Sequence, residues 1–160
     1  MKVLIVSDSH GKNTNLDRVL EQVSPIDMLI HLGDLEGSED YIEAVAEWPY
    51  ELVSGNNDYF TDIEREKMIT IGSYRVLLTH GHRQQVYCGT DMIKEWAKEK
   101  GADIVMFGHT HMPLIENDDD IIALNPGSIS KPRQEGHIPT YMIMDLDRTG
   151  VAHFTLNYLK

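Results

Sequence analysis

Short aliphatic runs alternate, over the first two-thirds of the chain, with stretches whose apolar residues recur every three or four positions. Residues 2–7, 28–32, 51–54 and 103–107 read as strands, and 67–71 and 74–79 as a pair flanking Gly72-Ser73, a two-residue hairpin signal. Between them, 14–23 sets Leu16, Val19, Leu20 and Val23 on one helical face. Ser38 is read as the N-cap of a second helix, with Glu39 and Asp40 in its first turn and Tyr41, Ala44, Val45 and Trp48 on one face. A third helix opens at Gly89 or Thr90, turns Ile93, Trp96 and Ala97 inward, and is stopped by Gly101.

Beyond residue 107 the pattern becomes all-β. Segments 113–117 and 121–125 are joined by an acidic tip, Glu116-Asn117-Asp118-Asp119-Asp120, read as solvated surface. Segments 140–146 and 151–158 are joined by Asp147-Arg148-Thr149-Gly150, with Ala152, Phe154, Leu156 and Tyr158 alternating. The longest irregular stretch, 126–139, is rich in Pro, Gly and charge and is expected to border a site. No repeat, linker or second-domain boundary appears, so residues 1–160 are expected to form one domain. The economical fold is α/β: a β-sandwich of mixed sheets with helices outside.

Five of the aliphatic runs end in polar residues that bind metals. Residues 2–7 lead into Asp8 and His10, 28–32 into Asp34, and 51–54 into Gly55-Asn56-Asn57-Asp58. Residues 74–79 lead into His80 and His82, and 103–107 into His109 and His111. Strand ends in α/β proteins deliver side chains to fixed places at the carboxyl edge of a sheet, where such proteins keep their sites. Each ending alone is an ordinary turn or structural histidine; five together indicate a metal centre. Oxygen and imidazole donors without sulfur suit Mn²⁺, foremost here, or Ni²⁺, Fe²⁺, Zn²⁺ or Mg²⁺. These donors exceed one ion's needs and match two ions that share a carboxylate.

Composition narrows the partners. The hydrophobic fraction is 41% and the charged fraction 25%, ordinary for a globular protein. The net charge of −12 disfavours long nucleic acids but permits a small phosphorylated substrate once divalent ions reverse the local field. No apolar run nears the roughly 20 residues that span a bilayer, so no membrane partner is expected. An aspartate follows the first apolar run too soon for a signal peptide. A single cysteine, Cys88, excludes an internal disulfide framework and assigns the chain to the cytoplasm. Cys88 itself reads as a small semi-buried residue. The sequence is compatible with a homo-oligomer.

Asp8-Ser9-His10, Gly33-Asp34, Gly55-Asn56-Asn57-Asp58, His80-Gly81-His82 and Gly108-His109-Thr110-His111 resemble, in order, the five motifs of the calcineurin-like metallophosphoesterases. The likeness reaches Asn125-Pro126-Gly127-Ser128 and is nearest to the small bacterial and archaeal phosphodiesterase branch. It implies a four-layer double β-sandwich with helices outside. It also implies two metal sites: Asp8, His10 and His111 at the first, Asn56, His80 and His109 at the second, and Asp34 bridging.

One position departs from the pattern: Asn57 stands where many relatives carry a histidine. A carboxamide can bind a phosphoryl oxygen but cannot supply a proton. His82 is therefore the substitute acid, or else a residue that orients the ligands. His31 reads as core or as support behind the ligands, Asp58 as a tie for the Asn57 loop, and His137 and His153 as surface or structural residues. Arg83, Lys131 and Arg133 are the nearest cations for substrate. The implied activity is hydrolysis of small phosphodiesters by metal-activated water. A phosphomonoesterase is the nearer alternative. A non-catalytic protein-interaction scaffold, such as the family member found in an endosomal sorting complex, is the more distant one. That scaffold has a degraded ligand set, whereas all seven positions here carry ligand-competent residues.

Overall fold

Two five-stranded mixed sheets face each other in the computed structural model, which describes residues 1–160. The strands are β1 (Lys2–Val6), β2 (Met28–His31), β3 (Tyr50–Leu52), β4 (Glu66–Ile71), β5 (Tyr74–Thr79), β6 (Ile104–Met106), β7 (Pro113–Asn117), β8 (Ile122–Pro126), β9 (Thr140–Leu146) and β10 (Ala152–Tyr158). The helices are α1 (Thr14–Val23), α2 (Ser38–Val45) and α3 (Asp91–Glu99), with two single-turn 3₁₀ helices at His82–Gln84 and Val86–Cys88. One sheet runs β10-β9-β1-β2-β3 and the other β4-β5-β6-β8-β7. Each contains three parallel neighbours, β1-β2-β3 and β5-β6-β8, edged by antiparallel strands.

Strand alternation builds the four layers. In β1, Val3 and Ile5 enter the core between the sheets, whereas Leu4 and Val6 meet α1 and α2. In β5 and β6, Val76, Leu78, Ile104 and Met106 face inward, whereas Leu77 and Val105 meet Ile93 and Ala97 of α3. Such central strands are apolar on both faces, which is why their sequences read as continuous runs. The architecture is the expected double β-sandwich flanked by helices. Gly72 (φ +61°) turns the β4–β5 hairpin, and Gly101 (φ +72°) ends α3.

Several local expectations need correction. Helix α2 buries Ser38 and Ile42, while Ala44 is exposed, and Trp48 lies beyond the helix end. Ser38 is not the cap: left-handed Gly37 occupies that position, and the Ser38 hydroxyl accepts from Ser9 Oγ at 3.2 Å inside the fold. Trp96 does not turn inward. Its indole donates to Glu66 at 2.6 Å and Lys100 lies over its ring, so partners from outside the helix hold it at the surface. Cys88 is exposed, because its short 3₁₀ turn buries Val86 instead. The acidic tip is partly paired: Lys94 binds Glu116 and Asp118.

His31 ends β2 fully buried, 2.9 Å from Ser9 Oγ, and its Nδ1 accepts from the Gly33 amide at 3.3 Å. Burial lowers its pKa from 6.5 to about 4. Between those values the unfolded chain takes up a proton that the fold refuses. Stability is therefore full above pH 6.5 and falls as the pH drops towards 4. The whole effect is about 3 kcal/mol. Replacing His31 with Gln is expected to flatten this part of the stability curve by close to one proton, read from denaturation midpoints across the window. Parallel curves for variant and wild type would contradict the assignment.

Candidate metal centre

The carboxyl ends of the two parallel triplets meet at one edge of the sandwich. The first sheet brings Asp8 and His10 after β1, Asp34 after β2, and Asn56 and Asn57 after β3. The second brings His80 after β5, and His109 and His111 after β6. Ligand atoms of Asp8, His10, Asp34 and His111 all lie within 4.8 Å of one another. His111 Nε2 is 3.0 Å from Asp8 Oδ1 and 3.2 Å from His10 Nε2. His80 Nε2 is 3.5 Å from Asp34 Oδ1 and 3.9 Å from Asp8 Oδ1, and the His80 and His109 ring centroids are 5.1 Å apart. His10, Asp34, Asn56, Asn57, His109 and His111 line an open cleft of about 260 Å³, with Asp8 and His80 buried behind them.

Backbone strain concentrates here. Asp8 (φ +56°), His10 (+49°), Asp34 (+55°), His109 (+69°) and His111 (+59°) all sit in the left-handed region. That region costs a non-glycine residue roughly 1–2 kcal/mol. Close approach is equally strict. A Cβ on Gly55 would stand 2.1 Å from Asp34 Oδ1, and one on Gly108 2.0 Å from Ser7 Oγ.

Hydrogen bonds aim the imidazoles. Nδ1 of His10 faces Glu36 Oε1 at 3.0 Å, Nδ1 of His80 the Leu32 carbonyl at 2.7 Å, and Nδ1 of His111 the Lys131 carbonyl at 2.7 Å. Each arrangement engages Nδ1 as a donor and turns Nε2, the atom that would ligate a cation, towards the carboxylates. Burial opposes ionisation of Asp8, but contact with His111 and the charge of His80 hold its pKa below the usual carboxylate value. Asp34 is likewise held low against burial, through His80 and Asn57. Burial would lower His80, yet Asp34 and Asp8 raise it. His109 falls to about 4 through burial and the charge of His80.

Of the seven buried side-chain polar atoms without a hydrogen-bond partner, Asp8 Oδ1 and His80 Nε2 face each other at this site. A buried polar atom left unmatched is costly. Carboxylate oxygens and imidazole nitrogens with free lone pairs are what a hard or borderline divalent cation takes. The residues fit such an ion.

Residues 1–149 match the calcineurin-like phosphoesterase superfamily domain. The chain belongs to that superfamily. Among its relatives, the probable metallophosphoesterase YsnB of Bacillus subtilis is 36% identical over 150 residues, covering 92% of this chain and 85% of the relative. Phosphodiesterase YfcE of Escherichia coli K12 is 30% identical over 171 residues, covering 92% and 89%. The crystal structure of Vps29 from Entamoeba histolytica complexed with Zn²⁺ superposes with a TM-score of 0.77 over 100% of both chains. At 21% identity that likeness speaks to the fold alone. The superfamily is metal-dependent, and the Asp and His cluster of this calcineurin-like chain sits where its strands converge.

The remaining expected residues divide. Asn57 lines the cleft, but it donates through its backbone to Asp34 Oδ1 (2.9 Å) and through its carboxamide to Asp34 Oδ2 (2.7 Å). Asp58 accepts from the Glu36 and Gly55 amides, each at 2.7 Å, and so ties the loops after β2 and β3 together. Lys131 and Arg133 reach the cleft from the 126–139 loop, but Arg83 lines a separate cleft with Arg65 and Trp96. His82 stands beside His80 and His109, with ring centroids 5.5 and 5.9 Å away, and is not among the cleft-lining residues. Burial and the charge of His80 lower its pKa. His137 and His153 are at the surface. Sequence reasoning missed Glu36 and Tyr87. Glu36 lies two residues after Asp34, the only hint available; Tyr87 carries no periodic signal.

Gly55 does not adopt the left-handed conformation, so a Gly55→Ala change acts through its clash with Asp34. It is expected to weaken metal binding by about tenfold or more although no Asp, Asn or His of the cleft is replaced. Chelator competition with Mn²⁺ measures this; wild-type affinity in the variant would refute the crowding.

Proposed function

We propose that residues 1–160 act as one domain that hydrolyses small phosphodiesters with two divalent ions per chain, Mn²⁺ first among the candidates. Asp8, His10 and His111 would hold one ion, Asn56, His80 and His109 the other, and Asp34 both. The observation that carries this reading is the set of three imidazoles whose Nδ1 atoms are tied to protein oxygens, leaving Nε2 directed at two buried carboxylates. Relatives named as phosphodiesterases favour the diester class. The complete donor set favours catalysis over a scaffold role. One cysteine in the whole chain favours a reducing cytoplasm.

When bound, the ions lower the pKa of a water and neutralise phosphoryl charge. The chain's own residues do the rest. Glu36 keeps the His10 ring in register, and Asp58 holds the loops of Glu36 and Gly55 together. Lys131 and Arg133 present positive charge at the mouth, which draws a phosphate into an otherwise acidic surface. Asn57 positions Asp34 and offers no proton. His82 is the proton donor available to the departing alcohol, but it stands outside the cleft lining with a lowered pKa. A set-back imidazole that seldom carries its proton near neutral pH suits substrates whose alcohol leaves easily and disfavours phosphomonoesters.

Protein reconstituted with Mn²⁺ is expected to approach two equivalents per chain and to hydrolyse bis(4-nitrophenyl) phosphate. Asp34→Asn should weaken both equivalents together, whereas loss of one alone would remove the bridge. A saturating stoichiometry of one would defeat the dinuclear reading.

Substituting Asn57→His supplies the missing acid. Phosphomonoester and alkyl-diester turnover should then rise more than turnover of the activated diester, by roughly tenfold or more. An equal change across these substrates would mean that Asn57 serves only to position Asp34.

A further inference from the structure

The metal cleft shares a wall with a second, larger pocket that is also open to solvent. Tyr87 borders both. Its hydroxyl donates to the His109 carbonyl at 3.0 Å and accepts from Arg133, and its ring meets His109 edge-on with centroids 4.7 Å apart. The aromatic partition is thus anchored to one of the proposed ligands and to one of the two cations of the cleft. Beyond it lies about 470 Å³, bounded by the apolar side chains of Val86, Met112 and Leu114 and reaching Thr110, between His109 and His111. That volume falls within the range of small-molecule sites, whereas the metal cleft at about 260 Å³ is smaller.

Charge divides the two spaces as sharply as polarity does. Lys131 and Arg133 lie on the metal side of Tyr87, and no lysine or arginine lines the larger cavity. Its rim instead carries Asp91 and Glu116. Glu116 is neutralised by Lys94, while Asp91 has no ion-pair partner. A phosphoryl group belongs on the first side. An anionic group on the second would meet an uncompensated carboxylate, whereas an apolar one would be drawn from water.

We propose that the cavity behind Tyr87 is the subsite for one ester group of the substrate, and that this group is uncharged and apolar or aromatic. The proposal rests on the phosphodiesterase reading and narrows it. The substrate class is a phosphodiester with one neutral hydrophobic arm. A polynucleotide is disfavoured, because its next phosphate would approach Asp91. Hydrolysis then adds water at phosphorus, breaks one phosphorus–oxygen ester bond, and releases an alcohol and a phosphomonoester.

Calorimetric titration of the Mn²⁺-loaded protein with dimethyl phosphate, methyl phenyl phosphate and methyl 4-carboxyphenyl phosphate tests this without relying on turnover. The phenyl diester is expected to bind roughly tenfold tighter than the dimethyl ester, and the carboxyphenyl diester to lose that advantage. Leu114→Trp fills the cavity. It should erase the phenyl advantage while dimethyl phosphate stays within about twofold of its wild-type affinity. Asp91→Asn, at an exposed position, should recover binding of the carboxyphenyl diester, and it decides the matter if the tryptophan variant does not fold. Equal affinities for phenyl and methyl esters, or a phenyl advantage that survives Leu114→Trp, would overturn the subsite. Failure of the wild-type protein to hydrolyse bis(4-nitrophenyl) phosphate with Mn²⁺ would instead overturn the phosphodiesterase reading, whatever the affinities.

Discussion

Two carboxylates, Asp8 and Asp34, are buried at the edge where the sheets meet, and both are held ionised. Burying a carboxylate costs several kcal/mol unless charge and hydrogen bonds compensate it. Much of the surrounding architecture serves that compensation. Asn57 donates to Asp34 through both its backbone and its carboxamide, Ser7 and the His109 amide donate to Asp8, and imidazoles approach both from the opposite sheet. Even so, Asp8 Oδ1 keeps no hydrogen-bond partner. Such an assembly is short of positive charge, and a divalent cation is the natural complement.

The requirement reaches into the backbone. Both carboxylates and three of the imidazoles occupy left-handed conformations, a cost that well-packed strands on either side can absorb. Glycines at 33, 55 and 108 let those tight turns stand against one another without a Cβ between them. The topology supplies the rest. Each sheet contributes three parallel strands, so each presents several carboxyl ends at the same edge, and the site forms between two such edges.

What could be read from the chain follows from this arrangement. The residues that converge at the cleft were legible because each follows an aliphatic run whose only reasonable fate is a buried strand. The mixed-sheet sandwich was legible for the same reason. The helices were less so. Helix α2 has eight residues, too few for periodicity to distinguish Ile42 from Tyr41 as the inward residue. Trp96 faces outward because its partner Glu66 lies in another element, which helical periodicity does not register. Glu36 and Tyr87 act on His10 and His109, which lie far from them in sequence, and no local pattern pairs them. Arg83 counts among the nearest cations in the sequence, yet it lines another cleft.

Anomalous diffraction from crystals grown with Mn²⁺ addresses the central claim most directly. Two peaks are expected, one against Asp8, His10 and His111 and the other against Asn56, His80 and His109, with Asp34 touching both. A single peak at full occupancy, or density away from Asp34, would contradict a dinuclear centre built on these seven residues.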